Sequence, residues 1–372
     1  MKTMFIGYHN LKTEARSMDM LELLKLYGET TAVSYGASFD NSGVKSIANP
    51  NGKKGIIRFM FNALKTIFSV KPDIVILHDD YPLMYVSLIR CFFPKTIIIH
   101  DSSELYLVNE KNHVNTWKKK IAHVLRYVEL KNTKKVDVVI AANMERATIM
   151  KEYFSLKKLP LVFENIHKIE TEYNRDECQR KYGHLFEQEV FTAIYAGGVA
   201  EERLTFKMAE QIGRLGSKYQ LIILGAAEVG GEEKLNRLIS DNKIGNVHYL
   251  GFVTREELKY LMEKSDVSIS AFAMDVVNNI NCASGKVFEG LFLGKPLLAG
   301  ENPSLKSMCE KYGIGISTTS FDKGLQEIEN NYDSYVSNVE KYITDIDYCH
   351  RIQKLKHSID AEIKCLGKEG SL

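Results

Sequence analysis

Short apolar runs rich in β-branched residues alternate along the chain with segments whose apolar residues recur at helical spacing. In the first half, 3–8, 31–35, 74–77, 96–100, 138–142 and 161–163 predict strands, with helices predicted over 17–27, 56–70, 82–92 and 117–133. The strand runs are apolar almost throughout, as strands covered on both faces of a parallel sheet are. A polar, charged stretch at 168–189 then interrupts the pattern and predicts a domain boundary. The alternation resumes with strands over 191–196, 221–224, 247–250, 267–271 and 296–298, and helices over 204–215, 232–242, 255–264 and 286–293. Thr254-Arg255-Glu256-Glu257 starts one of these helices with a Thr hydroxyl and a Glu carboxylate placed to satisfy two orphan amides. Tyr348, Ile352, Leu355, Ile359 and Ile363, three or four apart, make the last 30 or so residues helical. The pattern predicts an α/β protein of two doubly wound parallel-sheet domains, with ligands held beyond the carboxyl ends of the strands.

A length of 372 residues agrees with two domains, and 45% hydrophobic with 26% charged residues excludes disorder and a small disulfide scaffold. The net charge of +2 gives no bulk attraction for nucleic acid, so an anion site has to be local. Six scattered cysteines without a CxxC pair fit a reducing compartment and no zinc centre. The opening apolar run is too short for a signal peptide, and no stretch approaches the roughly 18 apolar residues of a spanning helix, so a cytoplasmic location is expected.

Two segments carry candidate chemistry. Tyr195-Ala196-Gly197-Gly198 lies between a predicted strand and helix, where small residues admit a ligand to the backbone and helix-start amides face it. Arg203 and Lys207 follow and would add cations around an anion; a solvated helix face would account for them equally well. In Ser284-Gly285-Lys286-Val287-Phe288-Glu289, Lys286 and Glu289 share a helical face and would serve a diphosphate and a ribose diol, or form a plain intrahelical ion pair.

From Phe191 to Gly300 the order of elements resembles the donor domain of the GT-B glycosyltransferases, most of all the retaining family 4. The resemblance runs through the Gly-rich turn with Arg203, Leu221-Ile222-Ile223-Leu224-Gly225, Val247-His248-Tyr249-Leu250-Gly251-Phe252, Asp266-Val267-Ser268-Ile269-Ser270 and the 286–296 segment. The first half resembles the acceptor domain through Ile99-His100-Asp101-Ser102-Ser103-Glu104-Leu105-Tyr106, Val136-Asp137-Val138-Val139-Ile140-Ala141-Ala142-Asn143 and Glu164-Asn165. The resemblance implies an acceptor domain at 1–167, a donor domain at 168–340 facing it across a cleft, and a C-terminal helix at 341–372 packing back on the first domain.

It also implies an enzyme that moves a sugar from a nucleotide-sugar, with UDP the expected nucleotide, to a glycan or lipid-linked saccharide of a cell surface. Arg203 and Lys286 would hold the diphosphate and offset charge on the leaving group, and Glu289 would accept from the ribose hydroxyls. Gly197, Gly198, Gly225 and Ser284 would line the donor site, with backbone near Gly251, Phe252 and Val253 at the base. No metal or other cofactor is then called for. His100, Asp101 and Glu104 would act on the acceptor side. Where many relatives carry a second Glu this chain has Asn281, which can hydrogen-bond a sugar but carries no charge; where they carry a His it has Ser103, and His100 is the candidate to replace it.

Two other features bear on partners. His78-Asp79-Asp80-Tyr81 resembles the metal-binding acidic pair of the other glycosyltransferase fold, and is read here as a strand-end loop on the acceptor side, with His78 a secondary candidate. Basic and aromatic residues mix in 58–68 and 117–126, which suits peripheral contact with an anionic membrane or two ordinary domain helices. The competing functions are a nucleotide-sugar epimerase of the same fold and a partner subunit that has lost turnover, the latter favoured by Asn281 and Ser103.

Overall fold

The computed structural model describes residues 1–11, 14–36, 43–47, 55–105, 124 and 126–367. The chain divides into two compact units, Met1–Glu164 with Asp347–Leu372, and Asn165–Ile346. Each is built on one all-parallel sheet.

In the first unit the strands are β1 (Lys2–Asn10), β2 (Glu29–Tyr35), β3 (Val44–Ile47), β4 (Ile74–His78), β5 (Ile97–Ser102), β6 (Val138–Ala141) and β7 (Leu161–Val162). They lie in the order β3-β2-β1-β4-β5-β6-β7, so the winding reverses between β1 and β4. Helices Ala15–Lys25 and Arg351–Cys365 pack on one face, where Leu21, Leu24, Leu355, Ile359 and Ile363 meet Phe5, Ile76 and Ile99. Helix Gly55–Val70 covers the other face, with Phe59, Ala63 and Ile67 against Met4, Val75 and Ile98. The C-terminal helix therefore belongs to the first unit.

The second sheet contains β8 (Phe191–Ala196), β9 (Tyr219–Leu224), β10 (Val247–Tyr249), β11 (Val267–Ser270), β12 (Leu297–Ala299) and β13 (Gly315–Ser317). Its order is β10-β9-β8-β11-β12-β13, and here the reversal falls between β8 and β11. In doubly wound sheets such a reversal opens a crevice at the carboxyl ends of the two flanking strands, where ligands bind. The two crevices are thus bounded by the ends of β1 and β4, and by the ends of β8 and β11.

Several elements differ from the sequence expectation. The polar stretch 168–189 contains helix Arg175–Tyr182, which lies within the second unit and seats Cys178 and Tyr182 in its core beside Ile194 and Ile222. The expected helix over 82–92 begins instead as a 3-10 turn, Tyr81–Tyr85 with Pro82 in its first turn, and becomes α-helical only over Val86–Phe92. The edge strands β3 and β13 are only four and three residues long, too short to show a pattern. The C-terminal pattern is two helices, Tyr332–Asp345 and Arg351–Cys365, and the chain returns to the first unit after Ile346 rather than after 340. Of the helix expected over 117–133, residues 117–123 and 125 lie outside the described residues.

Candidate active site

At the carboxyl end of β8 the chain turns at Gly197 and Gly198. A Cβ on Gly197 would fall 2.4 Å from the Tyr195 hydroxyl, and one on Gly225 would fall 2.0 Å from the Gly197 carbonyl oxygen. Gly225 also has φ +126°, which side-chain-bearing residues rarely adopt. Glycine at 225 lets the ends of β8 and β9 close on each other, and glycine at 197 leaves room for the Tyr195 hydroxyl. Gly198 differs: the first atom its Cβ would meet is the Ala226 carbonyl oxygen at 3.7 Å, so the fold itself leaves room there.

The segment after Gly198 enters a 3-10 turn, Glu201–Arg203, before helix Thr205–Gly213. Arg203 therefore sits at the end of that turn, close to the helix start. Its guanidinium carbon stacks 4.5 Å over the ring of Phe272, just past the end of β11. The Ala273 amide donates to the Glu202 carbonyl at 2.8 Å, which ties the two loops together. Arg203 thus spans the reversal between β8 and β11. Lys207 is half-buried on the helix that follows.

The second cluster forms on helix Gly285–Phe292. Glu289 is buried, and each of its oxygens takes a cation: Lys286 Nζ donates to Oε2 at 2.8 Å and Arg255 Nη1 to Oε1 at 2.7 Å. Arg255 comes from the first turn of helix Arg255–Lys264, whose capping box Thr254/Glu257 is formed as the sequence indicated. Burying a carboxylate is costly unless it is paired and hydrogen-bonded, and here two half-exposed cations satisfy it. Ser284 precedes the helix without capping it through its side chain. A Cβ on Gly285 would crowd the Asn165 carbonyl at 3.1 Å, and Asn165 Nδ2 in turn donates to the Ala283 carbonyl at 2.8 Å.

Asn281 ends the short helix Val277–Ile280, with its Nδ2 donating to the Val277 carbonyl at 3.0 Å. Buried Asn302 braces this loop, accepting from the Phe272 amide at 3.1 Å and donating to the Asn279 carbonyl at 3.0 Å. Beyond β10, Gly251 has φ +68° and accepts from the Gly225 amide at 2.8 Å. The Phe252 side chain is 85% exposed, whereas Val253 packs against the core beside Leu258.

In the first unit, strand register aligns Gly7 with His78 and His78 with Asp101. A Cβ on Gly7 would fall 2.8 Å from the Phe5 ring and 3.3 Å from the His78 Cβ, so glycine there leaves room for the Phe5 ring beside His78. His78 Nδ1 lies 2.7 Å from Asp101 Oδ2, and Arg16 grips the same carboxylate through Nε at 3.1 and 3.0 Å and Nη2 at 2.6 Å. All three side chains are buried. His9 Nε2 sits 2.7 Å from Asp79 Oδ2, and Asp79 also accepts from the Ser103 amide at 2.8 Å and hydroxyl at 2.9 Å.

These contacts set the protonation of the group. Burial would raise the Asp79 and Asp101 carboxyls, but His78, His9 and the Ser103 hydrogen bonds hold Asp79 well below the usual range, and Arg16 with His78 does so for Asp101. Burial would lower His78, yet the Asp79 and Asp101 carboxylates outweigh it and raise it to about 9.

Two expectations on this side need correction. His100 is a core side chain, fully buried with neither ring nitrogen hydrogen-bonded, and burial lowers it to about 4; it is neutral and shut off from any ligand. Asp101 is fully buried, and its carboxylate is committed to Arg16 and His78, which it orients. Glu104 remains accessible, 3.5 Å from Arg146 Nη2. The groups the sequence reading left out are Arg16, Glu14 and Arg255, and it gave His9 no role. Arg255 was within reach, because the Thr254 cap already placed it in a helix's first turn.

No family model matches the chain. An uncharacterised glycosyltransferase of Methanocaldococcus jannaschii is 24% identical over 252 residues, 66% of this chain and 59% of the relative, so the match spans about three fifths of that protein's length. Among solved structures, Anabaena HepE in complex with UDP and glucose superposes with a TM-score of 0.72 at 14% identity, covering 97% of this chain and all (100%) of that one. The fold is GT-B. WaaG, a glycosyltransferase of lipopolysaccharide biosynthesis, gives 0.70 at 12% identity over 96% of this chain and 99% of its own. Sucrose-phosphate synthase of Thermosynechococcus elongatus gives 0.72 at 12% identity over 99% and 98%. In GT-B terms β8–β13 form the carboxyl-terminal Rossmann-like sheet, and Arg203, Lys286 and Glu289 all lie in that unit.

Proposed function

We propose that the chain is a glycosyltransferase that takes a sugar from a UDP-sugar and passes it to a glycan or lipid-linked saccharide in surface polysaccharide synthesis. The observation that carries this reading is Glu289, a buried carboxylate with a cation on each oxygen, in a sheet whose reversal is spanned by Arg203. The crystallised binding of UDP and glucose by HepE, and of UDP-2-fluoro glucose by the trehalose-6-phosphate protein of Escherichia coli, supports the choice of nucleotide.

In this reading Glu289 exchanges its cation contacts for the ribose diol, and Lys286, released from Oε2, turns to the diphosphate. Arg203, held flat by Phe272, keeps its outer edge for the same group. Fixed cations stabilise the growing negative charge of the leaving diphosphate without reorganising. They perform there the task a divalent ion performs in other transferases, so donor departure needs no metal. Asn281 hydrogen-bonds the sugar without charge. The acceptor hydroxyl attacks the anomeric carbon on the face the diphosphate leaves, its proton passing to the departing phosphate, and configuration is retained.

The acceptor side is reached at a membrane. Helix Gly55–Val70 buries Phe59, Ala63 and Ile67 yet also exposes Ile57, Phe61 and Phe68, with Phe61 69% exposed. Phe92 extends the exposed patch, its ring 5.3 Å from that of Phe68, and Arg58 and Lys65 supply positive charge. An apolar stripe flanked by cations suits the surface of an anionic bilayer. No helix among the described residues is long and apolar enough to cross one. The other basic segment, 117–126, lies outside the described residues except for Val124 and Arg126.

The test is calorimetry with UDP, GDP and ADP, followed by turnover of the preferred sugar nucleotide with and without acceptor lipid, the product anomer being read by NMR. Selective UDP binding with transfer supports the reading. Tight binding without turnover would make the chain a partner subunit, and nucleotide-sugar conversion without acceptor would make it an epimerase.

A further inference from the structure

The first sheet reverses between β1 and β4, and two histidines stand at that crevice: His9 near the end of β1 and His78 at the end of β4. One ligand atom from each of His9, His78 and Asp79 can be chosen so that all three lie within 4.8 Å of one another. His78 Nε2 is 3.9 Å from Asp79 Oδ2 and 3.8 Å from Glu14 Oε2, while His9 Nε2 is 2.7 Å from Asp79 Oδ2. Two ligands about 2.1 Å from one tetrahedral ion lie roughly 3.3 to 3.4 Å apart, a value these separations bracket.

A second observation points the same way. His78 is fully buried, and its Nε2 has no hydrogen-bond partner although it faces two carboxylates. Its other nitrogen is anchored on Asp101, which Arg16 holds in turn. A carboxylate accepting from Nδ1 holds the ring so that Nε2 is the nitrogen turned to the other carboxylates, the same outer support that metal-bound histidines carry; an ion binding there would displace the Nε2 proton. An orphaned buried nitrogen is costly as it stands. An ion would give it a partner.

We propose that His9, His78 and Asp79 bind one divalent transition-metal ion, with zinc the best match to two imidazoles and a carboxylate, and with Glu14 within reach as a fourth ligand. The site stands apart from the donor-side reading, because all four residues belong to the first unit. His9 is the half-exposed edge of the group, so a solvent or acceptor oxygen would enter on its side. The alternative is a metal-free ion-pair network, in which the His9–Asp79 contact is a hydrogen bond and nothing more.

The experiment uses the full chain with exposed Cys91, Cys349 and Cys365 replaced by Ser, so that thiols do not compete. After chelator dialysis the protein is titrated with Zn2+ by calorimetry and with Co2+ by visible absorption. One saturable equivalent, with the absorption of nitrogen and oxygen ligation, is expected. His9→Ala, at a partly exposed position, should keep its circular dichroism melting curve and bind at least tenfold more weakly. Asp79→Asn should do the same where it folds. Absence of saturable uptake by folded protein, or equal affinity in His9→Ala, would overturn the site.

Discussion

Arg255 Nη1 lies 2.7 Å from Glu289 Oε1, and this ion pair joins the first turn of one helix to the buried face of another. With Lys286 on the second oxygen, the carboxylate is held in place before any ligand arrives. Glu289→Gln keeps the shape and removes the charge. Losing hydrogen bonds to a charged acceptor costs about 1.5 to 3 kcal/mol each, so UDP affinity should fall about tenfold to a hundredfold by calorimetry. A folded variant with unchanged affinity would take Glu289 out of the nucleotide site.

Arg203 and Phe272 should behave as a unit. Removing a group that stabilises charge in the transition state costs about 10²–10³ in kcat, and Arg203→Ala is expected to lose that much in sugar transfer. Arg203→Lys keeps the charge but loses the flat stack on the ring. Phe272→Leu should therefore slow the wild type by several-fold and the Arg203→Ala variant hardly at all. Equal effects of Phe272→Leu in both backgrounds would show that the stack does not serve the cation.

The two glycines at the strand ends separate folding from binding. Gly225→Ala places a methyl 2.0 Å from the Gly197 carbonyl at a backbone angle alanine avoids, and a loss of about 3 kcal/mol or more is expected in denaturant melts. Gly198→Ala meets only an ordinary contact, so its melting should stay near wild type. Its nucleotide affinity should nevertheless drop, since a methyl there takes space on the ligand side. Wild-type affinity in Gly198→Ala would move the phosphates away from this turn.

The exposed stripe on helix Gly55–Val70 makes the membrane reading specific to two side chains. Ile57→Ser with Phe61→Ser leaves the buried face of the helix intact. Cosedimentation with anionic vesicles should fall strongly while the melting temperature holds. If wild-type protein fails to cosediment at low salt, the membrane contact is wrong.

Glu129 gives a pH signature. It is buried near Asp80 and Asp79; burial first and those carboxylates second raise it from the usual 4.5 to about 8. The folded state then holds a proton that the unfolded chain releases, so this contribution is complete below about pH 4.5 and is lost as pH rises through 8. Glu129→Gln should flatten the decline in stability over that window, a difference of at most a few kcal/mol in urea melts at pH 5 and 9. Parallel curves for the two proteins would place Glu129 in a wetter setting.

The alternation of β-branched runs and helical spacing was enough to place strands such as β8 and helices such as Arg255–Lys264. Helix Arg175–Tyr182 escaped it, because six of its eight residues are exposed and polar, and two apolar contacts make no period. Lys286 and Glu289 were legible as partners, since three residues along a helix fix two side chains on one face. His100 and Asp101 looked equally available at a strand end. Alternation along the strand sent one into an unpartnered core position and the other onto Arg16, and only register with β4 and the neighbouring helix tells which.

By itself the sequence determined the fold class, two doubly wound sheets, and the glycine turns at the carboxyl ends of the second, because both follow from local periodicity and backbone freedom. The tertiary structure decided the pairings that give the sites their chemistry: Arg255 on Glu289 across 34 positions, Arg16 on Asp101 across 85, Phe272 beneath Arg203, and His9 beside Asp79. Such contacts depend on which strand ends become neighbours when the winding reverses. Local spacing carries no record of that, since any of several cations could neutralise a given carboxylate until packing buries it against one.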